Sequence, residues 1–168
     1  LIMRWAGHLP ESRRINELVE LLDIFPTVCQ LLGVPRPSAL QGINLVPLME
    51  GKTGARGRDV VFSEYPENEE AMVRSDRFKL IVGSGRRKRR DHLETGRPPT
   101  GPYERLFDEV RDPDETTDLS ADPALAALRT QLEETMYRRL VDSWASPEPI
   151  PQGLTHLEAI HWCLAPRD

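Results

Sequence analysis

The apolar positions of this chain fall into short bursts separated by Pro- and Gly-rich stretches, and their period changes along the sequence. Residues 1–7, LIMRWAG, form an apolar run closed by a glycine, which predicts a buried strand end. Residues 18–37, LVELLDIFPTVCQLLGVPRP, read first as one helix with a proline in its middle, at a cost of about 3 kcal/mol. The conflict vanishes if Asp23 is an N-cap. Pro26 then lies in the first turn, where its missing N–H had no partner. The prediction is an extended lead-in over residues 17–22, a helix over Ile24–Leu32, and a stop at Gly33 beyond which Pro35 forbids continuation. Phe25, Val28, Cys29 and Leu32 recur at helical spacing and are the expected core face.

Residues 35–58 are loop-rich. Beyond them the period drops to two: DVVFSEY (59–65), AMVRS (71–75), RFKLIVG (77–83) and YERLFDE (103–109) predict a four-stranded antiparallel meander, with a long excursion between the third and fourth strands. Asp122 and Pro123 then supply an N-cap and a first helical residue. Leu125, Leu128, Leu132, Met136, Leu140 and Trp144 make one stripe of a long helix over residues 123–144, laid on the sheet. SPEPIPQG is a linker. Thr155 and Glu158 form a capping box that opens a last short helix, with Leu154, Leu157, Ile160 and Leu164 as its apolar residues. The fold class is therefore α+β, a small four-stranded antiparallel sheet packed on a long C-terminal helix.

Composition adds limits. The chain has 168 residues, 39% of them hydrophobic and 29% charged, as in a globular protein. Its net charge of −5 argues against binding nucleic acid through a global basic field. No apolar run is long enough to span a membrane. Two cysteines, Cys29 and Cys163, are expected as buried thiols rather than a bridge.

Candidate chemistry is sparse. MEGKTG has the tail of a phosphate loop, but Val46 stands where the first glycine is required. Asp112, Asp114 and Asp118 have calcium-loop spacing without the glycine at loop position six or the closing glutamate. The four histidines, His8, His92, His156 and His161, are read as surface or capping residues. His156 and His161, five apart, point to different sides of a helix and do not suit a zinc pair. The strongest charge run is RRKRR: Arg86, Arg87, Lys88, Arg89 and Arg90. It is either a solvated loop or a docking patch for a sulfated or phosphorylated polymer. The residues themselves supply no catalytic or metal-binding constellation.

Taken together and in order, six segments resemble the C-terminal third of the sulfatase family, within the alkaline-phosphatase-like superfamily. They are LIMRWAG, ELLDIFPTVCQLLGVPRP, LQGINLVPLMEG, VFSEY, MVRSDRFKLI and YERLFDEVRDPDETTDLSADP, spread over residues 1 to about 144. The resemblance implies the C-terminal part of a sulfatase-like α/β fold. Residues 1–58 would be the last strand, helix and loop of an incomplete catalytic domain. Residues 59–144 would be the sheet-plus-helix subdomain, and 145–168 a Pro-rich linker with a terminal helix.

Sulfatases hydrolyse sulfuric esters with a formylglycine made within C-x-P-x-R or S-x-P-x-R, and with a divalent cation, usually calcium. The resemblance carries none of those residues onto this chain. Cys163 to Arg167 reads CLAPR, with its proline at 166 instead of 165 and at the wrong end of the sequence. The implied function is a C-terminal fragment, inactive by itself, of a sulfuric ester hydrolase. Its partner would be the N-terminal catalytic portion of the same chain, and its parent's substrate a sulfated small molecule or glycan. The alternatives are a stand-alone polyanion-binding module using Arg86 to Arg90, and a fragment of a phosphonate monoester or phosphodiester hydrolase of the same superfamily. Compartment is open.

Overall fold

The computed structural model describes residues 1–86 and 101–165. They form two compact units, Leu1–Val61 and Phe62–Asp168.

The first unit is built around α1 (Ile24–Leu32), which follows a single 3-10 turn over Leu21–Asp23. Gly33 ends α1 at φ 64°, a left-handed conformation that costs glycine little. The Val34 N–H then donates to the Cys29 carbonyl at 3.0 Å, closing the last turn. The short α2 (Val46–Glu50) has Pro47 in its first turn and stops at Gly51, φ 70°. The bounds of α1 agree with those expected, α2 falls within the stretch expected as loop, and the buried face of α1 differs from the expected one. Pro26, Thr27 and Cys29 are buried, whereas Phe25 is 56% and Leu32 63% exposed, with Val28 also exposed. The reason is polar: Asp23 and Thr27 are engaged by residues 41–58, and those bonds decide which side of α1 turns inward. Residues 1–5 are not a strand. They run without a sheet partner, with Leu1 and Ile2 exposed.

The second unit holds a sheet in the order β1 (Val61–Tyr65), β2 (Glu70–Arg74), β3 (Phe78–Gly83), β4 (Tyr103–Asp108). It is the antiparallel meander that the alternating pattern predicts. In its register Val73 faces Leu80 and Leu80 faces Leu106, and all three are fully buried. Over this sheet lies α3 (Ala126–Ser143), with Leu132, Met136 and Leu140 buried from the expected stripe. Its lead-in is capped as the sequence implies: the Asp122 carboxylate accepts the Ala124 N–H at 2.9 Å. A last helix, α4 (His156–Leu164), starts at the Thr155–Glu158 capping box and packs on α3 and β3 through Ala159, Ile160 and Leu164.

Candidate functional site

In the first unit the sequence brings a buried ion cluster to the start of α1. Asp23, with no exposed surface, accepts the Glu20 N–H at 2.8 Å and the Ile43 N–H at 2.7 Å. It also takes the Arg58 guanidinium through Nε at 2.9 Å, and through Nη2. Glu20 stands 3.5 Å from the same Arg58. Arg58 Nη2 donates onward to the Gln41 carbonyl at 3.2 Å. One turn later, Thr27 donates to the Asp23 carbonyl and accepts the Leu45 N–H at 2.9 Å. The chain at 41–45 is thus sewn to the head of α1. Gly42 is required there, because a Cβ would overlap the Leu22 carbonyl. Burial alone would raise the Asp23 pKa, but hydrogen bonds from Arg58, Glu20 and Ile43 outweigh it and hold the carboxyl below its usual value. The same pair raises Arg58.

This cluster is a clasp, not a catalytic site: every oxygen of Asp23 is already occupied. It explains why DIFPT and QGIN carry the family resemblance. Their Asp, Thr and Gly hold backbone together.

Beside the clasp is a cleft of about 480 Å³ lined by Leu1, Ile2, Leu9, Arg13, Leu45 and Met49 among others. Its walls expose polar and apolar surface in about equal measure, with Arg13, Arg14 and Glu17 as the charged lining residues.

In the second unit, Arg86 is the described member of the expected anion-binding run. It is committed to Glu69, with its Nε and Nη2 both 2.8 Å from Oε2. Glu69 is buried and sits at φ 56° where the β1–β2 connection ends. Arg87, Lys88, Arg89 and Arg90 lie outside the described residues, as does His92. Among the described histidines, His8 stacks on Trp5 at 4.0 Å and His156 on Tyr137 at 4.9 Å. His161 corrects the expectation of a surface residue. Both its ring nitrogens are buried without a hydrogen-bond partner. Burial, and then Arg86, lower its pKa, so the imidazole stays neutral near pH 7.

The acidic segment after β4 is spent on turns. Asp108 accepts Arg77 at 2.7 Å and the N–H groups of Val110 and Arg111. Asp112 accepts the Thr117 N–H at 2.8 Å, and Asp118 the Leu106 N–H at 3.1 Å. Among the described residues no three His, Cys, Asp or Glu side chains converge as metal ligands would. Sequence reading missed one cluster entirely, Glu104, Glu133 and Arg129, because Glu104 is 25 or more residues from the other two.

Comparison with known proteins follows the same lines. The family described as N-sulphoglucosamine sulphohydrolase, C-terminal, matches residues 1–142. The chain is 29% identical over 123 residues to a Delta 4,5-hexuronate-2-O-sulfatase of Bacteroides thetaiotaomicron, covering 73% of this chain and 23% of that protein. Its fold is similar to that of a 2-O GAG sulfatase, with TM-score 0.54 and 26% identity over 72% of this chain and 24% of the other. It is also similar to the phosphonate monoester hydrolase of Agrobacterium radiobacter, with TM-score 0.56 and 26% identity over 77% and 26% of the two chains. The chain thus spans about a quarter of the length of these relatives. The match over residues 1–142, which spans the clasp and the four-stranded sheet, places this chain in the sulfatase C-terminal family.

Proposed function

We propose that the chain serves as the C-terminal part of a sulfuric ester hydrolase and performs no hydrolysis alone. The family match over residues 1–142 carries this reading. The parent's nucleophile, a formylglycine, and its divalent cation belong to the preceding portion of the same polypeptide. Among the described residues no set of side chains fits the cation, and the sequence holds no match to the formylglycine motif. CLAPR lacks the required proline spacing, and the carboxylates of Asp23, Asp108 and Asp112 are bound to protein donors.

The role left for the chain is to pack. Leu21, in the 3-10 turn, and Phe25, Val28 and Leu32 of α1 follow one another at steps of four, three and four on the solvent side, with Leu21 83% exposed. A helix stripe of that kind wants an apolar cover, and the preceding catalytic portion is the partner assigned to it. The parent's substrate class is a sulfated small molecule or glycan. A second reading, a phosphonate monoester hydrolase as parent, rests on the similarity to the Agrobacterium enzyme.

The test is direct. The purified chain incubated with an aryl sulfate and calcium should give no turnover above a heat-killed control. Turnover overturns the proposal. Reading the gene in frame ahead of the Leu1 codon should show C-x-P-x-R or S-x-P-x-R. An in-frame stop beside a start codon at Leu1 overturns it equally.

A further inference from the structure

Two carboxylates and one guanidinium are gathered between the side chains of β4 and α3. Glu104 projects from β4 with its side chain 15% exposed, and Glu133 from α3 with 13%. Arg129, one turn before Glu133, has Nε 3.3 Å from Glu133 Oε1 and 3.8 Å from Glu104 Oε2. It is shared further, since its Nη1 donates to the Ser120 carbonyl at 2.7 Å. Glu104 Oε1 is buried and receives no donor. Both carboxylates thus close on the same Arg129 Nε, one from the sheet and one from the helix, and a hydrogen bond with Glu133 is among the causes that raise the Glu104 pKa. Two ionised carboxylates cannot bond to each other. One proton between them turns repulsion into a hydrogen bond and leaves a single negative charge for Arg129 to match.

We propose that Glu104 and Glu133 share one proton, and that this proton latches α3 to the sheet, the latch loosening when the proton leaves. Burial, and then the charge and hydrogen bond of Glu133, push the Glu104 pKa up to about 7, with Arg129 opposing. The charged groups facing Glu104 are Glu133 and Arg129, both from α3. From β3 its cross-strand partner is Val82, which does not titrate. α4, which packs on α3 and β3, carries His156, Glu158, His161 and Cys163, and of these His161 has buried ring nitrogens, with Arg86 as its charged neighbour.

The sign follows from linkage. A carboxyl whose folded pKa is raised contributes stability below its unfolded value, near 4.5, and loses it as pH rises through about 7. His161, with its pKa lowered, acts in the opposite direction, losing stability as pH falls. The two are separated with Glu104→Gln, which keeps His161 and replaces the shared proton with an amide N–H donor.

The experiment has two readouts on the full chain. The Glu104 side-chain carboxyl, followed by carbon-detected NMR, should titrate with a midpoint near 7. Hydrogen exchange of the α3 amides, corrected for intrinsic rates and taken as the ratio of wild type to Glu104→Gln, should rise about tenfold between pH 6 and pH 8. A midpoint in the ordinary carboxylate range overturns the shared proton. A flat ratio overturns the latch, even with the midpoint near 7.

Discussion

Tyr103 lies across Gly83, and its hydroxyl donates to Glu70 two strands away. Gly83 is the cross-strand partner of both residues, and a Cβ there would overlap the tyrosine ring. The missing side chain on β3 is what lets β4 reach β2 directly. Tyr103→Phe should cost about 1–2 kcal/mol through loss of a bond to a charged acceptor. Gly83→Ala should cost more, because the ring must leave its place. Urea unfolding of the full chain measures both, and the expected order is Gly83→Ala below Tyr103→Phe below wild type.

Arg58 is the sole side-chain cation on the Asp23 carboxylate among the described residues, and it also faces Glu20. Arg58→Ala leaves a fully buried anion without its counter-charge and should destabilise the first unit by about 3–5 kcal/mol. Proteolysis within residues 1–61 should accelerate, while protection of the β3 and β4 amides stays as it was.

The same pair sets an acid limit. The Asp23 pKa is lowered on folding, so its contribution is full above the unfolded value and is lost as pH falls through the folded one. Tryptophan fluorescence of Trp5 should report loss of the first unit on acidification below the usual carboxylate range. Asp23→Asn should flatten that acid response at a lower overall stability.

Met136 and Leu132 anchor α3 on the sheet, and each is almost wholly buried. Replacing either by Ala should cost about 2–5 kcal/mol by removing packed volume. Val141, on the exposed side of the same helix, should tolerate Ala within about 0.5 kcal/mol. Thermal melts of the three variants decide this.

Phe25 and Leu32 give the reverse pattern. In the isolated chain Phe25→Ser and Leu32→Ser should leave stability nearly unchanged or raise solubility, since both side chains are already exposed. In the full parent enzyme the same substitutions should lower folded yield. Equal behaviour in both settings would remove α1 as the packing surface.

Arg86 is ion-paired with the buried Glu69. Arg86→Ala should destabilise the β1–β2 turn by removing one cation from the buried Glu69, and Glu69→Gln should restore part of the loss. That rescue is measured by comparing the unfolding midpoints of the single and double variants.

What the sequence determined by itself was local. Helix limits were legible at Asp122–Pro123, Thr155–Glu158 and Gly33, because caps act over three or four residues. The strands were legible because alternation is a property of each one, and their order followed from short connections. The tertiary structure decided which side of α1 is buried, through bonds from Ile43, Leu45 and Arg58 to Asp23 and Thr27. It decided that Arg86 belongs to Glu69 and that His161 is enclosed. It brought Glu104 and Glu133 to the same Arg129 guanidinium. Each of these depends on partners 15 to 75 residues distant, and charge pairing and burial at that range leave no period or spacing in the chain to read.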